Sequence, residues 1–116
     1  MKKILQISIV VTGLFLSSLD ANAAAYNCGR TVRALTGGKY GPEYNLALNW
    51  ARLPRTNVTV GAVVVQTRKG RNSAGGPGGH VALIRQILSP CKAKVEDDKG
   101  LYIRNICKNL VAYVMP

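Results

Sequence analysis

Two alternating runs, Lys92 to Asp97 and Leu101 to Ile106, flank Asp98-Lys99-Gly100 and are bracketed by Cys91 and Cys107. A short turn with glycine third is the sequence form of a hairpin whose third loop residue takes the left-handed conformation. That loop opposes Asp97 with Leu101, Val95 with Ile103, Ala93 with Asn105, and Cys91 with Cys107. The cysteines then meet in register, and a bridge closing a loop of about 15 residues contributes on the order of 3 kcal/mol in the chain-entropy account. Period-two alternation places Cys91, Ala93, Val95 and Asp97 on one face with Leu101, Ile103 and Cys107, and Lys92, Lys94 and Glu96 on the other. Asp97 is therefore the acid expected to point with the core. Asp98 opens the loop, where aspartate is favoured for turn hydrogen bonds.

A disulfide needs an oxidising compartment, and the start of the chain supplies a route to one. Met1-Lys2-Lys3 is a charged start, Ile4 to Leu16 is mostly apolar, and Ala21-Asn22-Ala23 carries the small residues a signal peptidase requires. Residues 1–23 read as a secretory signal peptide, cleaved after Ala23, with an uncleaved anchor as the alternative. Tyr26 and Asn27 before Cys28 are too large for lipidation. The expected product is secreted or periplasmic, without stable membrane insertion after cleavage. It is a single domain of residues 24–116, and a monomer is expected. Three cysteines leave one over, and the hairpin makes that one Cys28; its pairing with Cys91 or Cys107 is the alternative, because spacing alone does not determine connectivity.

The chain carries 16 Lys and Arg against 5 Asp and Glu, a formal charge of +11. Such a balance favours anionic partners, and export argues for a cell-envelope polymer rather than nucleic acid; a basic surface serving only solubility is the bland alternative. Cys28 to Thr36 reads as a helix ended by Gly37-Gly38, with Cys28 near its N-terminus, where unsatisfied N–H groups stabilise a thiolate. Pro42 to Leu53 reads as a second helix with Tyr44, Ala47, Leu48 and Ala51 on its apolar stripe. Val58 to Thr67 reads as a buried strand with a bend at Gly61, and Arg68 to Gly79 as a flexible polar lid. The only histidine, His80, then enters a strand with Ala82 and Ile84 on its face and Val81, Leu83 and Ile87 mostly on the other. Leu110 to Val114 makes a last strand. Helices first and strands after predict an α+β fold with an antiparallel sheet. One histidine and one spare cysteine are too few for a structural zinc site, and no cofactor is expected.

The order of a lone cysteine opening the first helix, a histidine entering a valine-rich strand and an acid on the next strand resembles the papain-like cysteine hydrolases. More narrowly, the chain resembles the CHAP family of cysteine, histidine-dependent amidohydrolases and peptidases, which cut peptidoglycan. The resemblance rests on Cys28-Gly29 with Val32-Arg33, on Tyr40-Gly41 with Ala47-Leu48-Asn49-Trp50, on Gly61-Ala62-Val63-Val64-Val65 and on Gly79-His80-Val81-Ala82-Leu83-Ile84. It implies a papain-like, CHAP-like domain with N-terminal helices packed on a small antiparallel sheet. It also implies an exported cysteine peptidase or amidase acting on peptidoglycan peptide bonds. In that reading Cys28 is the nucleophile, His80 the base, Asp97 the orienting acid, and the Cys28 backbone N–H part of the oxyanion hole. The alternative is a non-catalytic cationic module that binds cell wall or another surface.

Overall fold

The structure, a computed structural model, describes residues 27–116; the signal-peptide expectation for residues 1–23 lies outside the described residues. Helix α1 spans Asn27–Leu35, and strands follow as β1 Val63–Arg71, β2 Pro77–Ser89, β3 Lys92–Asp97, β4 Gly100–Asn105 and β5 Leu110–Val114. All pair antiparallel in the order β4-β3-β2-β1-β5, an α+β domain as the order of elements predicts. Cys28 and Val32, buried, and Leu35, partly buried, recur at helical spacing and form the inward stripe of α1. The helix ends where Gly37 N–H donates to Ala34 O and Gly38 N–H to Arg33 O, a glycine-terminated cap.

The segment expected as one helix over Pro42 to Leu53 is two 3₁₀ turns, Pro42–Asn45 and Ala47–Arg52. Trp50 explains the break. Its indole is fully buried and donates to Tyr44 O at 2.7 Å, while Tyr40 stands tilted and Tyr44 edge-on against its ring, each at a centroid distance of 5.3 Å. A large ring satisfied by a backbone carbonyl six residues earlier outweighs the helix propensity of so short a segment. Together α1 and the two turns cover one face of the sheet, over Val63, Val65, Val81, Leu83, Ala112 and Val114. Two glycines permit this approach: a Cβ at Gly29 would sit 2.6 Å from Tyr44 O, and one at Gly79 would sit 2.6 Å from the Leu48 side chain. Gly78 and Gly79, directly before His80, thus serve close packing, and residues 68–79 are not the expected lid, since β1 runs on to Arg71 and β2 begins at Pro77.

On the other face Ala62, Val64, Ala82, Ile84, Ala93, Val95 and Ile106 form a second core, with Tyr102 and Tyr113 packed against it. This face is concave. Three strand spacings separate β1 from β4, about 14 Å in a flat sheet, yet Arg104 Nε donates to Gln66 Oε1 at 2.7 Å across the gap. Gln66 Nε2 in turn donates to Asn105 O at 2.9 Å and Lys108 O at 2.8 Å, tying the β4–β5 crossover to the sheet.

The hairpin departs from its expected register by one residue. Asp97 pairs with Gly100, Glu96 with Leu101, Val95 with Tyr102 and Ala93 with Arg104, leaving Asp98-Lys99 as the loop. Asp97 decides this: its Oδ1 accepts the Lys99 N–H at 2.8 Å, so Asp97, and not Asp98, forms the side-chain turn bond. Tyr102 and Arg104 therefore join Ala93 and Val95 on the concave face, while Leu101 and Ile103, expected inside, are 57% and 59% exposed. Gly100 keeps its left-handed conformation at φ 93°. Cys91 and Cys107 lie beyond the strand ends and remain bonded, with Cα atoms 5.0 Å apart, and the free cysteine is Cys28.

This register has a direct stability signature. Ile103→Thr should stay within about 0.5 kcal/mol of the parent, as exposed substitutions do, whereas Val95→Ala should cost about 2 kcal/mol from the lost apolar burial and the cavity left behind. Denaturant unfolding of both variants measures it; a larger loss at Ile103 would restore the one-residue-shifted pairing.

Candidate active site

His80 is 1% exposed on the concave face, its cross-strand partner being Gln66 on β1. Asp97, 3% exposed at the end of β3, lies within 2.7 Å of it, from His80 Nε2 to Asp97 Oδ2. The neighbours determine the tautomer. Arg68 Nη2 stands 3.1 Å from His80 Nδ1, and a guanidinium can only donate, so Nδ1 is an acceptor and the ring proton sits on Nε2, donated to Asp97.

Two further residues complete the network, and both come from β4. Tyr102 donates its hydroxyl to Asp97 Oδ2 at 2.6 Å, and Arg104 Nη1 donates to Tyr102 Oη at 3.1 Å. With Arg104 also bound to Gln66, a continuous polar chain runs from Arg68 through His80, Asp97, Tyr102 and Arg104 to Gln66. Sequence reasoning did not single out Tyr102, Arg104 or Gln66. The signal existed as the Tyr-x-Arg alternation of Tyr102 and Arg104, and the one-residue register difference turned it outward.

Burial would push the Asp97 carboxyl up, but donation from His80, Tyr102 and the Lys99 N–H outweighs it and holds the group below the usual carboxylate range. Burial also lowers His80, with Arg104 and Arg68 adding to that and the bond to Asp97 only partly opposing it. Tyr102 is pushed up to about 12 by burial and by its bond to the carboxylate. The resting site is thus a neutral imidazole on an ionised carboxylate, beside a neutral phenol.

Cys28, the second residue of α1, is 1% exposed and packs on the opposite face of the sheet from the His80 ring, among Val32, Val65 and Val81. The backbone N–H groups of Val81, the residue that follows His80, and of Gly29 act to lower the pKa of its thiol. Among the described residues no hydrogen bond joins Cys28 to His80. Burial pushes the thiol up, and the Val81 N–H and the Arg68 charge only partly offset this, so Cys28 rests protonated where the helix start was expected to favour the thiolate. Arg68 is thus close enough to act on both groups while bonding the imidazole nitrogen that would serve as base.

Among the described residues no group of three or more His, Cys, Asp or Glu could hold a metal ion, and no helix is long and apolar enough to cross a membrane.

The lowered His80 and Asp97 predict an acid-sensitive fold. With His80 lowered, the unfolded chain binds the extra proton first, so stability is full above the ordinary histidine value of 6.5 and falls as pH drops below it. The depressed Asp97 adds stability that is present above its ordinary 3.8 and lost below that. Thermal melts across this range should show the upper decline in the parent and not in His80→Asn. An equal slope in both would mean that His80 does not carry it.

Comparison with family models, with curated proteins and with solved structures finds no match to this chain.

Proposed function

We propose that this protein is an exported cysteine amidase or endopeptidase with a papain-like, CHAP-like arrangement, acting on peptidoglycan peptide bonds. The observation that carries the reading is the His80 imidazole, whose Nε2–H is committed to a buried carboxylate and whose Nδ1 is therefore an acceptor, taken in this structure by Arg68. That is the proton arrangement a base needs. The disulfide is consistent with export, and the positive charge with an anionic envelope polymer as partner.

The mechanism requires Arg68 to leave Nδ1 and the Cys28 thiol, which packs on the opposite face of the sheet, to come within reach of it; Nδ1 then takes the Cys28 proton. The thiolate attacks the amide carbonyl carbon, forming a C–S bond while the carbonyl electron pair moves to oxygen, where the Cys28 N–H at the start of α1 stabilises it. Collapse breaks the C–N bond, and His80 returns its proton to the departing amine. A water then gives a proton to Nδ1 and its oxygen to the thioester, releasing the acid and restoring the thiol. Asp97 holds the tautomer and stabilises the imidazolium throughout.

A second reading, the non-catalytic cationic binding module, is favoured by two observations: Arg68 caps His80 Nδ1, and burial keeps Cys28 protonated. Incubation with peptidoglycan and mass spectrometry of the soluble products separates the two. The hydrolase reading expects released fragments from the parent and none from Cys28→Ser, with unchanged thermal stability. Asp97→Ala should lose up to about 10⁴-fold in turnover, while Glu96→Ala and Asp98→Ala stay near the parent. Absence of fragments from the parent, together with retained binding to the wall, would select the binding module.

A further inference from the structure

Arg68 and Lys69 on β1, Arg104 on β4 and Lys108 in the β4–β5 crossover line one cleft of about 480 Å³, whose other lining residues are uncharged. The ion pairs among the described residues are His80–Asp97 and Arg85–Glu96, so none of these four cations has a carboxylate partner there. Four like charges around one opening repel each other, and the fold nevertheless holds one of them in place. Arg104 is fixed by donation to Gln66 Oε1 and Tyr102 Oη, and Gln66, itself 2% exposed, is fixed by donating to Asn105 O and Lys108 O. A guanidinium positioned in advance is a recognition element for a carboxylate or phosphate group.

Arg68 links this cleft to the histidine. Its Nη2 donates to a neutral imidazole nitrogen, a weaker acceptor than an oxyanion, and its backbone lies on the exposed end of β1. We propose that the cleft is an oxyanion-binding site for a carboxylate or phosphate group, and that an oxyanion seated in it draws the Arg68 guanidinium off His80 Nδ1. Occupancy then exposes the acceptor nitrogen. This stands on the cleft and its cations and does not require that the protein be a hydrolase. In a hydrolase, the same event would free the base only when the anionic polymer is bound.

The chain has a single histidine, so its ring signals in nuclear magnetic resonance spectra are unambiguous. The full-length mature protein is titrated with inorganic phosphate and, separately, with glutarate, at constant ionic strength. At least one should shift the His80 ring signals saturably, toward those of Arg68→Gln, in which the contact is missing. The double variant Lys69→Gln/Lys108→Gln, altered only at exposed side chains, should bind at least about tenfold more weakly. Arg85→Gln, whose charge lies outside the cleft, should bind like the parent. A response to phosphate alone identifies a phosphate group as the ligand, and a response to glutarate alone a carboxylate. No saturable response to either anion, an undiminished response in the double variant, or a shift away from the Arg68→Gln spectrum overturns the proposal. Since no turnover is read, failure of the hydrolase reading and failure of this one are separate results.

Discussion

An ionised carboxylate buried to 3% exposure is costly unless its oxygens are filled with donors, and Asp97 meets that condition from three directions. Oδ1 takes the Lys99 N–H, while Oδ2 takes the Tyr102 hydroxyl and the His80 ring N–H. The first of these sets the turn, and through it the register of β3 with β4. The second brings β4's inward residues to the concave face, and the third orients the imidazole. One side chain thus couples the hairpin's geometry to the protonation state of the histidine.

The second constraint is the curl of the sheet. Gln66, the cross-strand partner of His80, spends its whole amide on β4 and on the crossover to β5, which draws an edge strand over the face of β1. Without that closure Arg104 and Lys108 would stand away from Arg68 and Lys69, and the basic cleft would be a spread of surface charge. A fully satisfied buried network of this kind rigidifies the face it lines, because leaving any member unpaired in so low a dielectric is expensive.

The two faces of the sheet divide the labour. The helix side is apolar, with Trp50 and the Cys28–Val32–Leu35 stripe packed on valines; the concave side holds the polar chain at one end and aliphatic residues at the other. Cys28 and His80 lie on opposite faces of β2, and Arg68, which bonds the imidazole, also carries a charge that favours the Cys28 thiolate. That arrangement makes the position of Arg68 decisive for either functional reading.

Much of this was legible from residues alone. The antiparallel α+β order, the helix stop at Gly37-Gly38, the strand over Leu110 to Val114, the Cys91–Cys107 bridge and the inward direction of Asp97 follow from local rules of periodicity, turn chemistry and cysteine spacing. Those rules act over a few residues, so they hold wherever no distant group competes. They failed where one did. Trp50 broke an expected helix by bonding a carbonyl six residues away, Gly78 and Gly79 served close packing and not a lid, and Asp97's own side chain shortened the loop by one residue and exchanged Leu101 and Ile103 for Tyr102 and Arg104 on the inner face. The sequence by itself determined the first helix, the order of the strands, the staple and the residue types able to do acid–base chemistry. Only the tertiary structure decided the register, the tautomer of His80, the burial that keeps Cys28 protonated and the convergence of four cations, because each depends on groups brought together from separate strands.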